Sequence, residues 1–167
     1  MSLFDEEEKN AEYERARKRA MYLLGYRDHS VCALREKLLN NYTEETADRV
    51  IEDMKRYGFL DDEAYAKKLA ASLITVKKYG VYRAKAEMKR KGIDEETAEY
   101  ALSQYQSEDY SEQLVLLVRK KYSQKIQDRD DRRRTVSALV RRGYSFSQVK
   151  EAVLQVLREQ AECEEED

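Results

Sequence analysis

The sequence repeats itself with a period of about 50 residues, and no other feature constrains the fold as strongly. Lys91-Gly92-Ile93 corresponds in this register to Arg142-Gly143-Tyr144. The same register aligns one apolar position of each copy: Leu38, Met88 and Leu139. Such a period is typical of chains in which one small supersecondary unit stacks on the next, because a single unit cannot bury its own apolar face.

The composition indicates that these units are helical. The 167 residues include no proline and only 5 glycines, whereas β-sandwiches and barrels need many tight turns that favour both residues. Apolar residues recur at the i, i+3, i+4, i+7 spacing of an amphipathic helix, as at Ala47, Val50, Ile51 and Met54. We therefore predict an all-α fold, an elongated array of three tandem three-helix repeats with about nine helices.

Residues that begin or end helices mark the boundaries. Serine and aspartate favour the N-cap, and glycine favours the position after the last helical turn. These preferences predict structural caps at Ser30, Gly58, Asp61, Asp62, Gly92 and Gly143. Asp61 and Asp62 could also bind a metal or do acid–base chemistry, but their place directly before a helix favours capping.

The charge is unevenly distributed along the chain. An acidic N-terminal segment, 1–14, and an acidic tail, 161–167, flank the three repeats, which we place at 15–60, 61–107 and 108–160. The net charge is -2, yet the residues between the two acidic ends include 31 basic and 23 acidic side chains. A basic helical body suggests a polyanion or an acidic protein surface as partner, although high charge also keeps a thin helical protein in solution. The tail is either a solvated end or an internal mimic that competes for the basic body.

Clusters of cations are the strongest functional signal. The predicted partner- or DNA-binding residues form a basic face: Arg35, Lys77, Lys78, Arg83, Lys85, Lys89, Arg90, Lys91, Arg132, Arg133, Arg134, Arg141 and Arg142. If the repeats stack, the ends of their short helices could align as a positive stripe, which suits a filament or a polymer better than a small molecule. Cations in a last helical turn also stabilise the helix dipole, which is the structural alternative. Tyr79 and Tyr82, among these cations, could stack on bases or lie at the edge of the core.

The sequence contains no recognisable catalytic or metal site. His29 lies beside Asp28, but no Gly-x-Ser-x-Gly elbow, HExxH, Walker A or GxGxxG sequence accompanies the pair. Cys32 and Cys163 are too far apart in sequence for a CxxC motif, and they suggest a reducing compartment. We therefore expect no enzyme activity, no catalytic residue, no metal and no cofactor.

The same features predict where the protein works. No apolar run approaches the roughly 18 residues of a membrane helix, and the acidic N-terminus is unlike a signal sequence. We expect a cytoplasmic monomer that has no contact with a membrane.

Several motifs together resemble one known family. They are Arg27-Asp28-His29-Ser30, Leu34-Arg35-Glu36-Lys37-Leu38, Gly58-Phe59-Leu60-Asp61-Asp62, Tyr65-Ala66, Tyr79-Gly80 and Lys91-Gly92-Ile93. In this order and spacing they strongly resemble the RecX family of bacterial recombination regulators, from about residue 15 to residue 158. Arg142-Gly143-Tyr144-Ser145 resembles the start of the family's last helix, whereas Leu73–Val76 lies where many relatives carry arginine.

The resemblance implies a regulator of the RecA recombinase. Family members are small helical proteins of three-helix repeats that bind along the groove of the RecA filament on single-stranded DNA. They typically inhibit its ATPase, strand exchange and co-protease activities, with effects on recombination, DNA repair and the SOS response. Two other classes stay open from the residues alone: a protein that binds single- or double-stranded DNA directly, and a helical-repeat adaptor without nucleic-acid contact.

Overall fold

The computed structural model describes the backbone of residues 3–165 and the side chains of residues 5–164. All regular structure in this range is helical, which confirms the predicted all-α class. Its nine α-helices follow one another in three groups of three. The first group is α1 (Leu3–Tyr26), α2 (Val31–Leu39) and α3 (Glu44–Arg56). The second group is α4 (Asp62–Ala71), α5 (Val81–Arg90) and α6 (Glu95–Leu102). The third group is α7 (Ser107–Lys121), α8 (Arg129–Arg141) and α9 (Phe146–Glu165).

Local signals explain where these helices begin and end. Ser30 Oγ accepts a hydrogen bond from the Ala33 amide at 3.1 Å, in the first turn of α2. Ser145 and Gln148 form a capping box before α9, in which each backbone amide donates to the other side chain, at 2.9 and 3.1 Å. Three glycines after helix ends have left-handed backbone angles: Gly58, Gly92 and Gly143.

A π-helical turn, Ser72–Val76, continues α4. Three of its five residues are β-branched, which weakens their preference for a regular α-helix. Thr75 Oγ1 also donates to the Ala71 carbonyl at 2.6 Å, so a side chain competes for the helical acceptor. The turn leads into a loop where Lys78 adopts a left-handed backbone, with φ of 57°.

The described residues divide into two compact units. Unit 1 contains the described residues up to Lys68 together with Met88–Ala98. Unit 2 contains Leu69–Glu87 together with the described residues from Glu99 onward. The first group of helices therefore belongs to unit 1 and the third to unit 2, while the second group supplies residues to both.

In unit 1, α1, α2 and α3 pack around a small apolar core. Its buried residues are Ala16, Ala20, Leu34, Leu38, Ala47, Val50, Ile51, Met54 and Leu60. The Glu12 carboxylate ties α1 to the start of α3, because it accepts hydrogen bonds from the Thr43 amide at 2.9 Å and the Thr43 hydroxyl at 2.8 Å. Hydrogen bonds from Thr46 and Thr43 hold the pKa of Glu12 below its ordinary value.

In unit 2, α7 and α8 both pack against α9. The buried residues here include Leu114, Val118, Ile126, Leu139, Val149, Val153 and Val156. Tyr144 is also buried, and its hydroxyl donates to the Lys78 carbonyl at 3.0 Å and accepts from the Gln113 amide at 2.7 Å. This pair of hydrogen bonds fixes the loop before α5 against α7.

In each unit, a residue at the start of one helix donates a hydrogen bond to a backbone carbonyl of the next repeat, and the two pairs occupy equivalent positions in the repeats. In unit 1, the Ser30 hydroxyl at the start of α2 donates to the Lys91 carbonyl after α5, at 2.7 Å. In unit 2, the Gly80 amide at the start of α5 donates to the Arg142 carbonyl after α8, at 2.9 Å. We call these two contacts the docking contacts.

The docking contact in unit 2 leaves no room for a side chain at Gly80. A Cβ there would lie 2.2 Å from the Gly143 carbonyl oxygen and 2.5 Å from the Tyr144 amide nitrogen, distances that backbone atoms must move to relieve. Gly80 does not itself have a left-handed backbone, so close approach alone requires glycine at this position.

Replacing Gly80 with alanine should lower the free energy of unfolding by about 1–3 kcal/mol, because the two backbones must separate. Gly25 in α1 is the matched control, since a Cβ there would meet nothing within 4 Å. Alanine is favoured over glycine inside a helix by about 0.5–1 kcal/mol, so Gly25→Ala should be neutral or stabilising. Chemical denaturation followed by circular dichroism compares the variants, and equal stability of the two would contradict the close approach.

Candidate functional site

Several cations of the predicted basic face form ion pairs within the protein, and Arg35 and Lys85 are two of them. Arg35 pairs with Asp48 through Nε and Oδ1 at 2.6 Å, and with Glu44 through Nη2 and Oε1 at 2.7 Å. Lys85 pairs with Glu99 at 2.6 Å. The hydrogen bond from Arg35 holds the pKa of Asp48 below its ordinary value. An external partner would have to compete with these carboxylates for the same cations.

Two arginines of the predicted face hold backbone carbonyls. Arg132 Nε donates to the Ile126 carbonyl at 2.5 Å, which ties α8 to the segment before it. Arg142 Nη2 donates to the carbonyls of Lys77 and Lys78. These guanidinium groups therefore stabilise loops of unit 2, besides any contact that they make with a partner.

The ring of Tyr79 lies among cations of its own unit. Arg142, Arg83 and Lys77 approach the ring centroid at 5.3, 5.5 and 5.9 Å. Cation–π contacts of this kind contribute about 0.5–1 kcal/mol at exposed sites. Positive charge therefore surrounds the ring of Tyr79. Tyr82, the other tyrosine of the predicted basic face, is exposed.

A groove in unit 2 brings several predicted cations together with residues that the sequence did not point to. We call it the α7 groove, and it has a volume of about 510 Å³. The residues that line it are Val76, Lys77, Lys78, Asp109, Glu112, Gln113, Leu116, Leu117, Lys120, Lys121 and Arg142. Five of these residues carry positive charge and two carry negative charge, so the groove is basic.

Helical spacing explains how α7 forms one wall of this groove. Gln113, Leu116 or Leu117, and Lys120 or Lys121 follow one another at intervals of three or four residues, and such residues share a helix face. The opposite wall is the loop after the π-helical turn. That loop is held by Tyr144 through the Lys78 carbonyl at 3.0 Å.

Apolar side chains are exposed in the α7 groove. Val76 is 75% exposed and Leu116 is 48% exposed. Cations next to apolar side chains suit a protein partner whose carboxylates surround a few apolar side chains. Apolar contacts at the centre of an interface, where water is excluded, provide much of the binding energy of protein complexes. The α7 groove thus has the chemistry of a protein-binding surface.

A second group of cations lies along α8 in unit 2. Arg133, Ser137 and Arg141 are four residues apart and share one face of the helix with Arg134 in a shallow recess. Arg134 pairs with Asp131 at 3.1 Å, a contact between two exposed side chains that contributes little to stability.

A third group of cations ends α5 in unit 1. It consists of Lys89, Arg90 and Lys91, of which Arg90 and Lys91 line a cleft beside His29. Arg141 and Arg142, by contrast, end α8 in unit 2. A single stripe through both groups stays a prediction.

The carboxylates of Asp61 and Asp62 contact different helices. Asp61 Oδ1 accepts from the Ala64 amide at 3.0 Å, in the first turn of α4. Asp62 is the first residue of α4, but its Oδ1 accepts from the Val31 amide at the start of α2, at 2.8 Å. One carboxylate therefore caps its own helix, while the other joins α4 to α2.

Sequence reasoning missed Lys120, Lys121 and Leu116 as members of the groove. The run Arg119-Lys120-Lys121 was visible as a basic helix end, but nothing in the sequence aligned it with Lys77-Lys78. Arg119 itself faces α9, where it makes a bidentate pair with Glu159.

Within residues 3–165, no group of three or more His, Cys, Asp or Glu side chains is arranged to hold a metal ion. Cys32 and Cys163 are both exposed free thiols. The helices that the structure describes include none with the length and apolar character needed to span a bilayer.

Three family models match consecutive parts of the chain. The first, second and third three-helix domains of RecX match residues 16–54, 61–102 and 108–153. These matches confirm the predicted fold of three tandem three-helix repeats.

Individual relatives agree with the family models. The chain is 31% identical over 145 residues to a regulatory protein RecX from Prosthecochloris aestuarii, covering 86% of this chain and 94% of that relative. It is 31% identical over 136 residues to a regulatory protein RecX from Vibrio parahaemolyticus, covering 80% of this chain and 86% of that one. The crystal structure of RecX from Lactobacillus salivarius has a similar fold, with a TM-score of 0.79 at 20% identity over 88% of this chain and 97% of that chain.

The contact between Asp62 and Val31 can be tested by two substitutions. Asp62→Ala removes the acceptor and should lower the free energy of unfolding by about 0.5–2 kcal/mol. Asp62→Asn keeps an acceptor without the charge. Burial raises the pKa of Asp62 above its ordinary value of 3.8, so the folded state binds the proton more tightly and ionisation costs folding free energy.

The asparagine variant should therefore be at least as stable as the wild type at neutral pH. This advantage should disappear below about pH 3.8, where Asp62 is protonated in both folded and unfolded states. Urea denaturation at several pH values measures the difference. An Asp62→Ala protein as stable as the wild type would show that the Val31 amide does not depend on this carboxylate.

Proposed function

Because the chain belongs to the RecX family of regulatory proteins, we propose that it regulates homologous recombination and DNA repair by binding the RecA filament and inhibiting it. The match of all three repeats to RecX domains is the observation that carries this proposal. Inhibition would extend to ATP hydrolysis, strand exchange and co-protease activity, as the resemblance to the RecX family implies. No catalytic residue is needed for such a role, because binding alone can block a filament groove or favour its disassembly.

The α7 groove is the part of the surface that we assign to the filament. Its exposed Val76 and Leu116 can supply apolar contact, and its lysines can pair with carboxylates of the partner. Lys78, Lys120 and Lys121 make no ion pair with another described residue, so their ammonium groups do not have to leave an internal partner. Complementary charge would also increase the rate of association, and this effect would fall as salt is added.

The direct test measures ATP hydrolysis by RecA on single-stranded DNA while the protein is titrated in. We expect hydrolysis to fall with increasing protein and the protein to sediment with the filament. A protein that neither sediments with filaments nor changes hydrolysis would contradict the proposal and leave the adaptor alternative.

Charge reversal in the groove tests the assigned surface. The triple variant Lys78→Glu, Lys120→Glu and Lys121→Glu should need about tenfold more protein for half-inhibition, which corresponds to about 1.4 kcal/mol of binding free energy. The matched control reverses three exposed cations of unit 2 outside the groove: Arg129, Lys150 and Arg158. The control should inhibit like the wild type.

Stability has to be measured beside inhibition. Lys120 and Lys121 end α7, so their reversal removes a favourable helix-dipole interaction of about 0.3–1 kcal/mol each. Glutamine variants at the same positions separate the loss of positive charge from the added repulsion, and thermal melting identifies any unfolded protein. Equal loss of inhibition in the groove triple and the control triple would place the contact outside the groove.

A further inference from the structure

A cleft in unit 1 has a different chemistry from the α7 groove. We call it the His29 cleft; its volume is about 230 Å³, and it lies between the start of α2, the side of α4 and the end of α5. Four of its lining residues carry positive charge: Arg27, Lys37, Arg90 and Lys91. Its only acidic lining residue among those described is Asp28, so positive charge predominates.

Three of the four cations of the cleft form no ion pair with a described residue. The Asp28 carboxylate pairs with Lys68 at 3.2 Å, outside the cleft lining. Arg27, Lys37 and Lys91 form no ion pair with any residue between 5 and 164. A concave site with a surplus of unneutralised cations attracts an anion, and arginine binds phosphate oxygens with particular strength.

His29 provides the second, independent observation. The residue lines the cleft and is only 6% exposed. Nδ1 lies 2.9 Å from the Arg27 carbonyl oxygen, which can only accept, so Nδ1 carries the hydrogen and donates. Nε2 is buried and has no hydrogen-bond partner among the described residues. Buried polar atoms without partners are rare in folded proteins and call for an explanation.

The surroundings of His29 disfavour protonation of its ring in the absence of a ligand. Burial is the largest effect and lowers the pKa of His29. The hydrogen bond to the Arg27 carbonyl opposes it and is the next largest effect, while the nearby charges of Arg27 and Lys37 lower the pKa and that of Asp28 raises it. An anion in the cleft would offset the positive potential and favour the imidazolium. The buried imidazole is therefore placed to respond to an anion in the cleft.

Tyr65 and the volume of the cleft indicate which kind of anion the cleft can hold. Tyr65 borders the cleft and is half-buried. The cleft is smaller than the roughly 300–1,000 Å³ of sites for drug-sized ligands, so it suits one phosphate with part of its sugar. Aromatic side chains beside cations are the usual means of binding single strands, because the cations contact the backbone and the ring contacts a base or sugar.

We propose that the His29 cleft binds one backbone phosphate of a single-stranded nucleic acid. The lining cations contact the phosphate oxygens, and His29 gains a proton as the anion binds. Tyr65 packs against the adjoining sugar or base. This site does not depend on the proposed binding to RecA, and it lies outside the α7 groove.

The chain contains one histidine, so His29 is a unique reporter for nuclear magnetic resonance. The imidazole signals are followed over a pH titration, first with the protein alone and then with saturating oligothymidylate. With the oligonucleotide, the titration midpoint should move to higher pH by about one pH unit. An unchanged midpoint under conditions where the oligonucleotide is bound would overturn the proposal.

Three further probes separate the sources of the anion. Inorganic phosphate at equal concentration should move the titration midpoint of His29 less than the oligonucleotide does, because it lacks the sugar and base. Duplex DNA of equal phosphate content should also have less effect, since its bases are not available to Tyr65. A comparable change with polyglutamate would overturn the nucleic-acid assignment and identify a site for protein carboxylates.

Substitutions link the signal to the cleft. Arg27→Gln combined with Lys91→Gln should weaken oligothymidylate binding about tenfold in fluorescence anisotropy. Loss of one phosphate contact should also reduce the slope of log affinity against log salt by about 0.7. The matched control, Arg15→Gln with Lys18→Gln on α1, removes the same types of charge from exposed positions outside the cleft.

The comparison holds only for folded proteins, so both double variants are first checked by thermal melting. Equal affinities and equal salt slopes for the cleft variant and the control would mean that the cleft is not the phosphate site. Because the assays contain no RecA, their outcome is independent of whether the chain inhibits the filament.

Discussion

The arrangement of the helices depends on the two docking contacts, in which a backbone carbonyl accepts a hydrogen bond from an equivalent position of the preceding repeat. The carbonyls of Lys91 and Arg142 accept from the Ser30 hydroxyl and the Gly80 amide, at 2.7 and 2.9 Å. At this separation a Cβ atom becomes an obstacle, and the adjacent glycines remove it. Apolar burial holds each group of helices together, but it is non-directional; the docking contacts fix one register between consecutive repeats.

Much of this fold could be predicted because its signals are local. Apolar spacing gives the helices, and serine and glycine preferences give their ends, as Ser30 and Gly143 illustrate. The contact between Ser30 and Lys91 could not be predicted from the sequence. The position of each residue at the end of a helix already accounted for its identity. The π-helical turn was also missed, because Ser72–Val76 continues the apolar pattern of α4 and differs only in how its carbonyls are bonded.

The candidate site was less predictable for a different reason. A run of cations shows where positive charge occurs along the chain, but it does not show which cations are already engaged. Arg35 pairs with Asp48 across the turn between α2 and α3, and Arg142 bonds to carbonyls far away in sequence. Conversely, Lys120 and His29 become candidate binding residues only because neighbouring elements place them in a groove or a cleft.

The docking contacts also explain why the two surfaces occur where they do. Lys91 and Arg142 are equivalent in the repeat; each provides the carbonyl of a docking contact, and each lines one of the surfaces. A turn that brings its carbonyl to a neighbouring repeat carries its cationic residue to the same junction. Stacking repeats therefore creates a basic recess at each docking contact, and the other residues that line it set its chemistry. Exposed Leu116 makes one recess suited to a protein, and buried His29 makes the other responsive to an anion.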